Sequence, residues 1–307
     1  MLFRKKESRY LDGDDDEDIV KKNKWTTKKI LYIVIPIISV IVIGIAVLQI
    51  VRTQMGYQEA EGEYSSLSQY VTIQDEPEVT AEPELTYEIE EIPYFPVVDV
   101  DEDALKAVSE DYECWFYFPL LDLSYPVAKC LNNDYYLHHT LEGKYNNAGC
   151  LFIDYVNEDD LKDKNTFIYG HNMRDGTMFG NLDVFEKDDK LVDLDPHIYL
   201  YMGGKVYIYS IFSYYITETA DYAMNPDEDR FRLIADKSVV DADEDYIYIT
   251  YDEYLEKAKK LSLYEPVENL DFSEEPPMIT LSTCYGPYGA TKRFLVHAVQ
   301  TGIYDLP

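Results

Sequence analysis

A cysteine and an arginine frame the stretch of this chain best suited to chemistry. Residues 278–299 read Met-Ile-Thr-Leu-Ser-Thr-Cys-Tyr-Gly-Pro-Tyr-Gly-Ala-Thr-Lys-Arg-Phe-Leu-Val-His-Ala-Val, two β-like runs joined by a loop containing Gly286, Pro287 and Gly289. Cys284 closes the first run and Arg293 opens the second. If the runs pair antiparallel, strand neighbours about 4.7 to 4.9 Å apart bring thiol and guanidinium onto one rim. A nearby cation favours the thiolate and can hold a developing oxyanion, so the pair suits acyl transfer to sulfur.

Such a site also wants a proton donor for the leaving amine, and histidine suits that task near neutral pH. Of the histidines, His297 shares the strand parity of Arg293, but at about 3.3 Å per residue it stands roughly 13 Å away from the rim. His138 and His139 follow an aromatic run, and His197 begins an expected strand. His171 follows the run Thr166-Phe-Ile-Tyr and Gly170 and precedes a polar loop, the kind of strand end where catalytic groups tend to be placed.

The elements that must position these groups are mostly strands. Short Tyr, Val, Ile and Phe runs over 116–118, 127–131, 150–154, 166–169, 197–202, 205–215, 278–282 and 293–299 are separated by Asn, Asp and Gly. A helix is expected from the capping box Thr250-Tyr-Asp-Glu253, with Tyr254, Leu255, Ala258 and Leu261 on one face, and a shorter one over 103–109. Many strands and few helices predict a mainly β fold, a closed barrel with helical inserts. The 30 Tyr against 2 Trp lean the same way.

Ahead of this domain, 30–51 is apolar apart from Ser39 and Gln49 and provides the about 20 residues needed to cross a bilayer core of about 30 Å. Lys21, Lys22, Lys24, Lys28 and Lys29 precede it and only Arg52 closely follows, which predicts a single-pass helix with the N-terminus cytoplasmic. The expected organisation is a cytoplasmic tail (1–29), a transmembrane helix (30–51), an acidic extracellular stalk (52–98) and a catalytic domain (99–307). The stalk assignment rests on its Glu, Gln, Ser and Pro content, which offers little apolar surface to offset ordering entropy.

With 59 acidic and 27 basic side chains, a net charge of -32 would repel the phosphates of nucleic acid, so no nucleic-acid partner is expected. Cys114, Cys130, Cys150 and Cys284 form no C-x-x-C pair, and the acidic clusters 188–195 and 227–229 lack the spacing of an EF-hand loop. No metal and no cofactor is expected. The first three cysteines are read as small buried apolar residues.

Taken together, Thr166-Phe-Ile-Tyr-Gly-His-Asn-Met, Thr177-Met-Phe-Gly-Asn-Leu, Thr280-Leu-Ser-Thr-Cys and Arg293-Phe-Leu-Val-His closely resemble class B sortases. Upstream Ser124-Tyr-Pro-Val and Asn132-Asn-Asp-Tyr-Tyr-Leu add to the resemblance, which covers about 111–303 in the right order. It implies an eight-stranded sortase barrel with Cys284 as nucleophile, His171 as general acid and base, and Arg293 as stabiliser of the oxyanion. It further implies cleavage of a C-terminal sorting signal of secreted proteins through a Cys284 thioester, resolved by an amine of a peptidoglycan precursor or a pilin lysine. Groove residues carried over by motif are Asn133, Leu137, Tyr169 and Ser282. Two departures bear on the groove: Tyr285 stands where class B relatives often carry an acid, and the loop from Cys284 to Arg293 is rich in Gly and Pro. The acidic, Tyr-rich segment 213–236 occupies the place of a sortase specificity loop.

Alternatives from other classes are a hydrolytic cysteine peptidase and a noncatalytic membrane-tethered binding module that keeps the barrel. An L,D-transpeptidase fits less well, because its pattern sets the arginine almost directly after the cysteine.

Overall fold

The computed structural model describes residues 27–74, 95–188, 190–218, 221–224, 231–234, 246–286 and 291–307. Two compact units divide at Gln54 and Met55. In the first, helix α1 (Thr27–Leu67) begins with a solvent-facing apolar surface over 31–51, long and apolar enough to cross a membrane. Pro36 lies inside it, as membrane helices tolerate.

The second unit is built on a closed barrel. Its strands in chain order are β3 (Tyr112–Phe118), β4 (Leu123–Ala128), β5 (Leu151–Ile153), β6 (Asn165–Tyr169), β7 (His197–Met202), β8 (Lys205–Glu218), β12 (Met278–Cys284) and β13 (Lys292–Asp305). Around the barrel they run β12-β13-β8-β7-β3-β4-β5-β6, closed by the parallel pair β6 and β12. This is the expected eight-stranded barrel. Trp115, Phe116, Leu200, Tyr209, Ile279, Leu281 and Val296 belong to one hydrophobic core and are all essentially inaccessible to solvent.

Outside the barrel lie two short strands, β1 (Val71–Ile73) and β2 (Val98–Val100), paired antiparallel. Helix α2 (Glu102–Val108) follows, capped by Asp101, whose carboxylate accepts from the Ala104 amide at 3.0 Å. A small helix, α3 (Val184–Lys187), precedes β7. Strands β9 (Asp221–Met224), β10 (Phe231–Ile234) and β11 (Tyr246–Ile249) form a separate antiparallel sheet, order β11-β10-β9. The loop expected over 213–236 contains β9 and β10, whose strand pattern its acidic residues hide; other parts of that segment lie outside the described residues.

Helix α4 (Tyr251–Leu261) begins at Thr250 with the expected reciprocal capping box. It buries Tyr251, Tyr254, Leu255 and Ala258 against Phe167, Phe212, Tyr215 and Leu295 on the outer face of the barrel. Each such large side chain is worth about 1.5–3 kcal/mol when fully buried. Leu261, expected on that face, is instead exposed at the last turn.

An extended stalk does not describe the start of 52–98. Within the second unit, α1 continues through Leu67 and buries Ala60, Tyr64 and Leu67, a helical i, i+4, i+7 stripe that averaged composition conceals. The Tyr64 hydroxyl donates to the Gly149 carbonyl, and the Asn146 amide donates to the Gly56 carbonyl at 2.9 Å. Residues 75–94 of the expected stalk lie outside the described residues, as does the cytoplasmic tail over 1–26.

Candidate active site

Parallel β6 and β12 run side by side, with Tyr169 opposite Ser282 at the end of their ladder. Antiparallel β13 lies on the other flank of β12 and sets Arg293 directly opposite Cys284. Because side chains alternate, Thr280, Ser282 and Cys284 share one face of β12. Their partners His297, Leu295 and Arg293 share the matching face of β13. The upper end of this column is open, with Cys284 exposed and Arg293 half-buried. The lower end is closed by α4.

Beyond Tyr169 the chain leaves the ladder without losing contact with β12. The Gly170 amide donates to the Ser282 carbonyl at 3.1 Å, and the Asn172 side-chain amide donates to the Cys284 carbonyl at 2.6 Å. Between these two tethers sits His171, whose own carbonyl accepts from the Phe179 amide at 3.0 Å. A Cβ at position 170 would fall 2.5 Å from Leu151 Cδ2 and 2.6 Å from Phe179 Cδ2, so any larger residue forces these packed side chains to shift.

The His171 ring nitrogen Nε2 lies 2.8 Å from the Leu137 carbonyl oxygen. A carbonyl only accepts, so Nε2 carries the hydrogen, and Nδ1 is the nitrogen left to exchange protons. Burial holds the imidazole below its ordinary value; the Leu137 bond opposes that shift and nearby His138 reinforces it.

Cys284, His171 and Arg293 line one cavity of about 200 Å³, together with Asn133, Leu137, Tyr169 and Ser282. Every site residue expected from the sequence is therefore brought together. Asn133 Oδ1 accepts from the Tyr155 amide at 3.0 Å, leaving its NH2 group for other partners. The Tyr169 hydroxyl donates to Asp154 at 2.7 Å, which fixes the ring as a wall of the groove. Arg293 Nη1 donates to the Lys292 carbonyl at 3.2 Å, and no carboxylate among the described residues pairs with this guanidinium. A cation without a carboxylate partner is available to an anion.

Phe152, Gly170 and Thr283 complete the lining. Sequence reasoning did not single them out, nor did it single out Asn172. The only sequence signal for Asn172 is its place directly after His171. Tyr285 turns away from the cavity: its ring stacks on Phe294 and its hydroxyl donates to Glu186. Pro287 and Gly289 lie outside the described residues.

Three other histidines lie away from this groove. His297 is fully buried beneath α4, opposite Thr280. His197 is paired with Asp195 at 2.9 Å, and His139 stacks on Tyr135. Cys114, Cys130 and Cys150 are free thiols, two buried and Cys130 half-buried.

A barrel closed by a parallel strand pair, with cysteine, histidine and arginine around one groove, is the architecture of a class of cysteine transpeptidases. A sortase domain model matches residues 117–301, and the chain belongs to the sortase family, within it to class B. Sortase B of Listeria monocytogenes is 34% identical over 180 residues, 59% of this chain and 65% of the relative, so the match spans a little under two thirds of that protein. The X-ray structure of Clostridium perfringens sortase B superposes with a TM-score of 0.52 at 25% identity, covering 66% of this chain and 100% of that one. A crystal structure of sortase B from B. anthracis, solved in complex with AAEK1, gives 0.56 over 80% of this chain and 98% of its own; at 23% identity it speaks for the fold.

Proposed function

We propose that this chain is a membrane-anchored sortase that cleaves a sorting signal and transfers the acyl group to an amine. The observation that carries this reading is the shared groove: an exposed Cys284 at a strand end, Arg293 across the ladder, and His171 with Nδ1 free. His171 Nδ1 takes the thiol proton, and the Cys284 thiolate attacks the peptide carbonyl. The oxyanion faces Arg293. The C–N bond breaks as His171 returns that proton to the leaving amine, leaving a thioester on Cys284. An incoming amine attacks the thioester, His171 removes its extra proton, and the sulfur leaves with that proton restored.

Asn133, Leu137, Tyr169 and Ser282 line the groove and are assigned to the peptide. The substrate class is a secreted protein with a C-terminal sorting signal, and the acceptor is an amine of a peptidoglycan precursor or a pilin lysine. The lysines before residue 30 favour a cytoplasmic N-terminus and so support an extracellular catalytic domain, assigned to 99–307. The 30–51 segment is the anchor.

The test incubates the full chain with a labelled sorting peptide, with and without an added amine. Amine-dependent ligation that vanishes in Cys284→Ala supports transpeptidation. Release of acid at an unchanged rate with amine present identifies a hydrolytic peptidase, and binding of the peptide without cleavage identifies a binding module.

A further inference from the structure

A second hollow, about 230 Å³, lies between the 57–65 part of α1 with Ser68 just beyond it, the start of β4 and the loop after His171. It shares no lining residue with the groove at Cys284, although the 171–180 segment borders both, through His171 on one side and Met178 on the other. Its walls carry the aromatic rings of Tyr57, Tyr64 and Tyr125. Tyr64 and Tyr125 meet edge to face, with centroids 5.5 Å apart and planes at 89°, which makes a rigid aromatic corner. Both hydroxyls are engaged: Tyr64 donates to the Gly149 carbonyl, and Tyr125 accepts from the Met178 amide at 3.4 Å. The rings are therefore fixed.

Glu61 and Asp122, both exposed, line the same hollow, and no lining residue is basic. Neither carboxylate has an ion-pair partner among the described residues. Their proximity to the rings is visible in Tyr125, whose hydroxyl is held above its ordinary value first by burial and then by the charges of Asp175, Asp122 and Glu61. Aromatic faces and unpaired carboxylates around one small hollow attract an organic cation and repel an anion.

We propose that this hollow seats the primary ammonium group of a lysine-type side chain from a partner peptide or protein. The rings take the aliphatic stem and the cation, the two carboxylates take the charge, and the hydroxyls of Ser65 and Ser124, also in the lining, can accept N–H bonds. A quaternary ammonium group fits the rings but offers those oxygens no hydrogen. Binding here does not require the thioester chemistry proposed above, and its readout is separate from activity.

The test is a saturation-transfer NMR titration of the full chain in nanodiscs with Nα-acetyl-lysine methylamide, its norleucine analogue and its trimethyl-lysine analogue. The lysine probe is expected to saturate and the norleucine probe to give no saturable signal. The double substitution Glu61→Gln, Asp122→Asn keeps side-chain shape and is expected to weaken the lysine probe about tenfold or more, whereas Cys284→Ala leaves it unchanged. Equal binding of norleucine, an unaltered affinity in the double variant, absence of saturation by lysine, or preference for the trimethylated probe would each overturn the proposal.

Discussion

The side-chain amide of Asn172 donates to the backbone carbonyl of Cys284 across 2.6 Å, joining the residue after the histidine to the strand end that carries the thiol. The bond lies where the β6–β12 ladder has already stopped, so a side chain continues the work of the backbone. It fixes the His171 segment against Cys284 without touching the groove contents.

Replacing Asn172 by Ala is expected to lower kcat/KM by about tenfold to a hundredfold, since a small misplacement of reacting groups costs that much. Asn172→Asp, which keeps shape and loses the donor, is expected to fall at least as far. Steady-state kinetics with a sorting peptide check this, together with a pH profile of Cys284 alkylation. A profile and rate identical to the parent would remove Asn172 from the positioning of the site.

Burial keeps His171 below its ordinary value. The acid limb of the pH–rate profile is therefore expected below pH 6.5, the value of an unperturbed histidine. His138 pushes in the same direction when charged, so His138→Gln is expected to move that limb upward. Profiles of kcat/KM for parent and variant measure both effects.

Gly170→Ala would force a methyl into Leu151 and Phe179. The neighbouring Gly170 amide bond to Ser282 would shift with it, and overpacking of this kind costs about 1–3 kcal/mol. The unfolding midpoint should fall, and peptide turnover should fall further than stability alone explains. Denaturation curves and kinetics on the same preparation separate the two.

His297 makes its own pH prediction. Thr280 Oγ1 donates to Asn165 Oδ1 at 2.8 Å, so it can only accept from His297 Nδ1 at 2.9 Å; Nε2 is then an unprotonated nitrogen, buried without a partner. Burial lowers the pKa to about 3. Because the folded value lies below the unfolded one, the unfolded chain binds more protons between about pH 6.5 and pH 3, and stability drops as pH falls through that window. The slope for one proton is about 1.4 kcal/mol per pH unit. Chemical denaturation at pH 6.5 and pH 5 should show that slope reduced in His297→Asn; an equal slope would mean other groups carry it.

Local signals in the sequence make much of this protein legible. Two β-like runs around Cys284 and Arg293 need only alternation and one turn to become partners, and the Thr250 capping box is read from four adjacent residues. Strand rise alone sets His297 away from the rim, and it pairs with Thr280 as that distance requires. What escaped depends on partners remote in sequence. Tyr64 looks like one aromatic in a polar segment until Gly149 and Tyr125 surround it, and Asn172 is an ordinary loop residue until the Cys284 carbonyl stands opposite.

The parallel pairing of β6 with β12 has an architectural consequence. Parallel neighbours cannot be joined by a tight turn, so the chain must leave after Tyr169 and travel back to the start of β12 by some longer route. That return path is a place where new material can be spliced without re-registering the strands that hold sulfur and imidazole together. The β9–β10–β11 sheet lies within that return path, outside the barrel's own ladder.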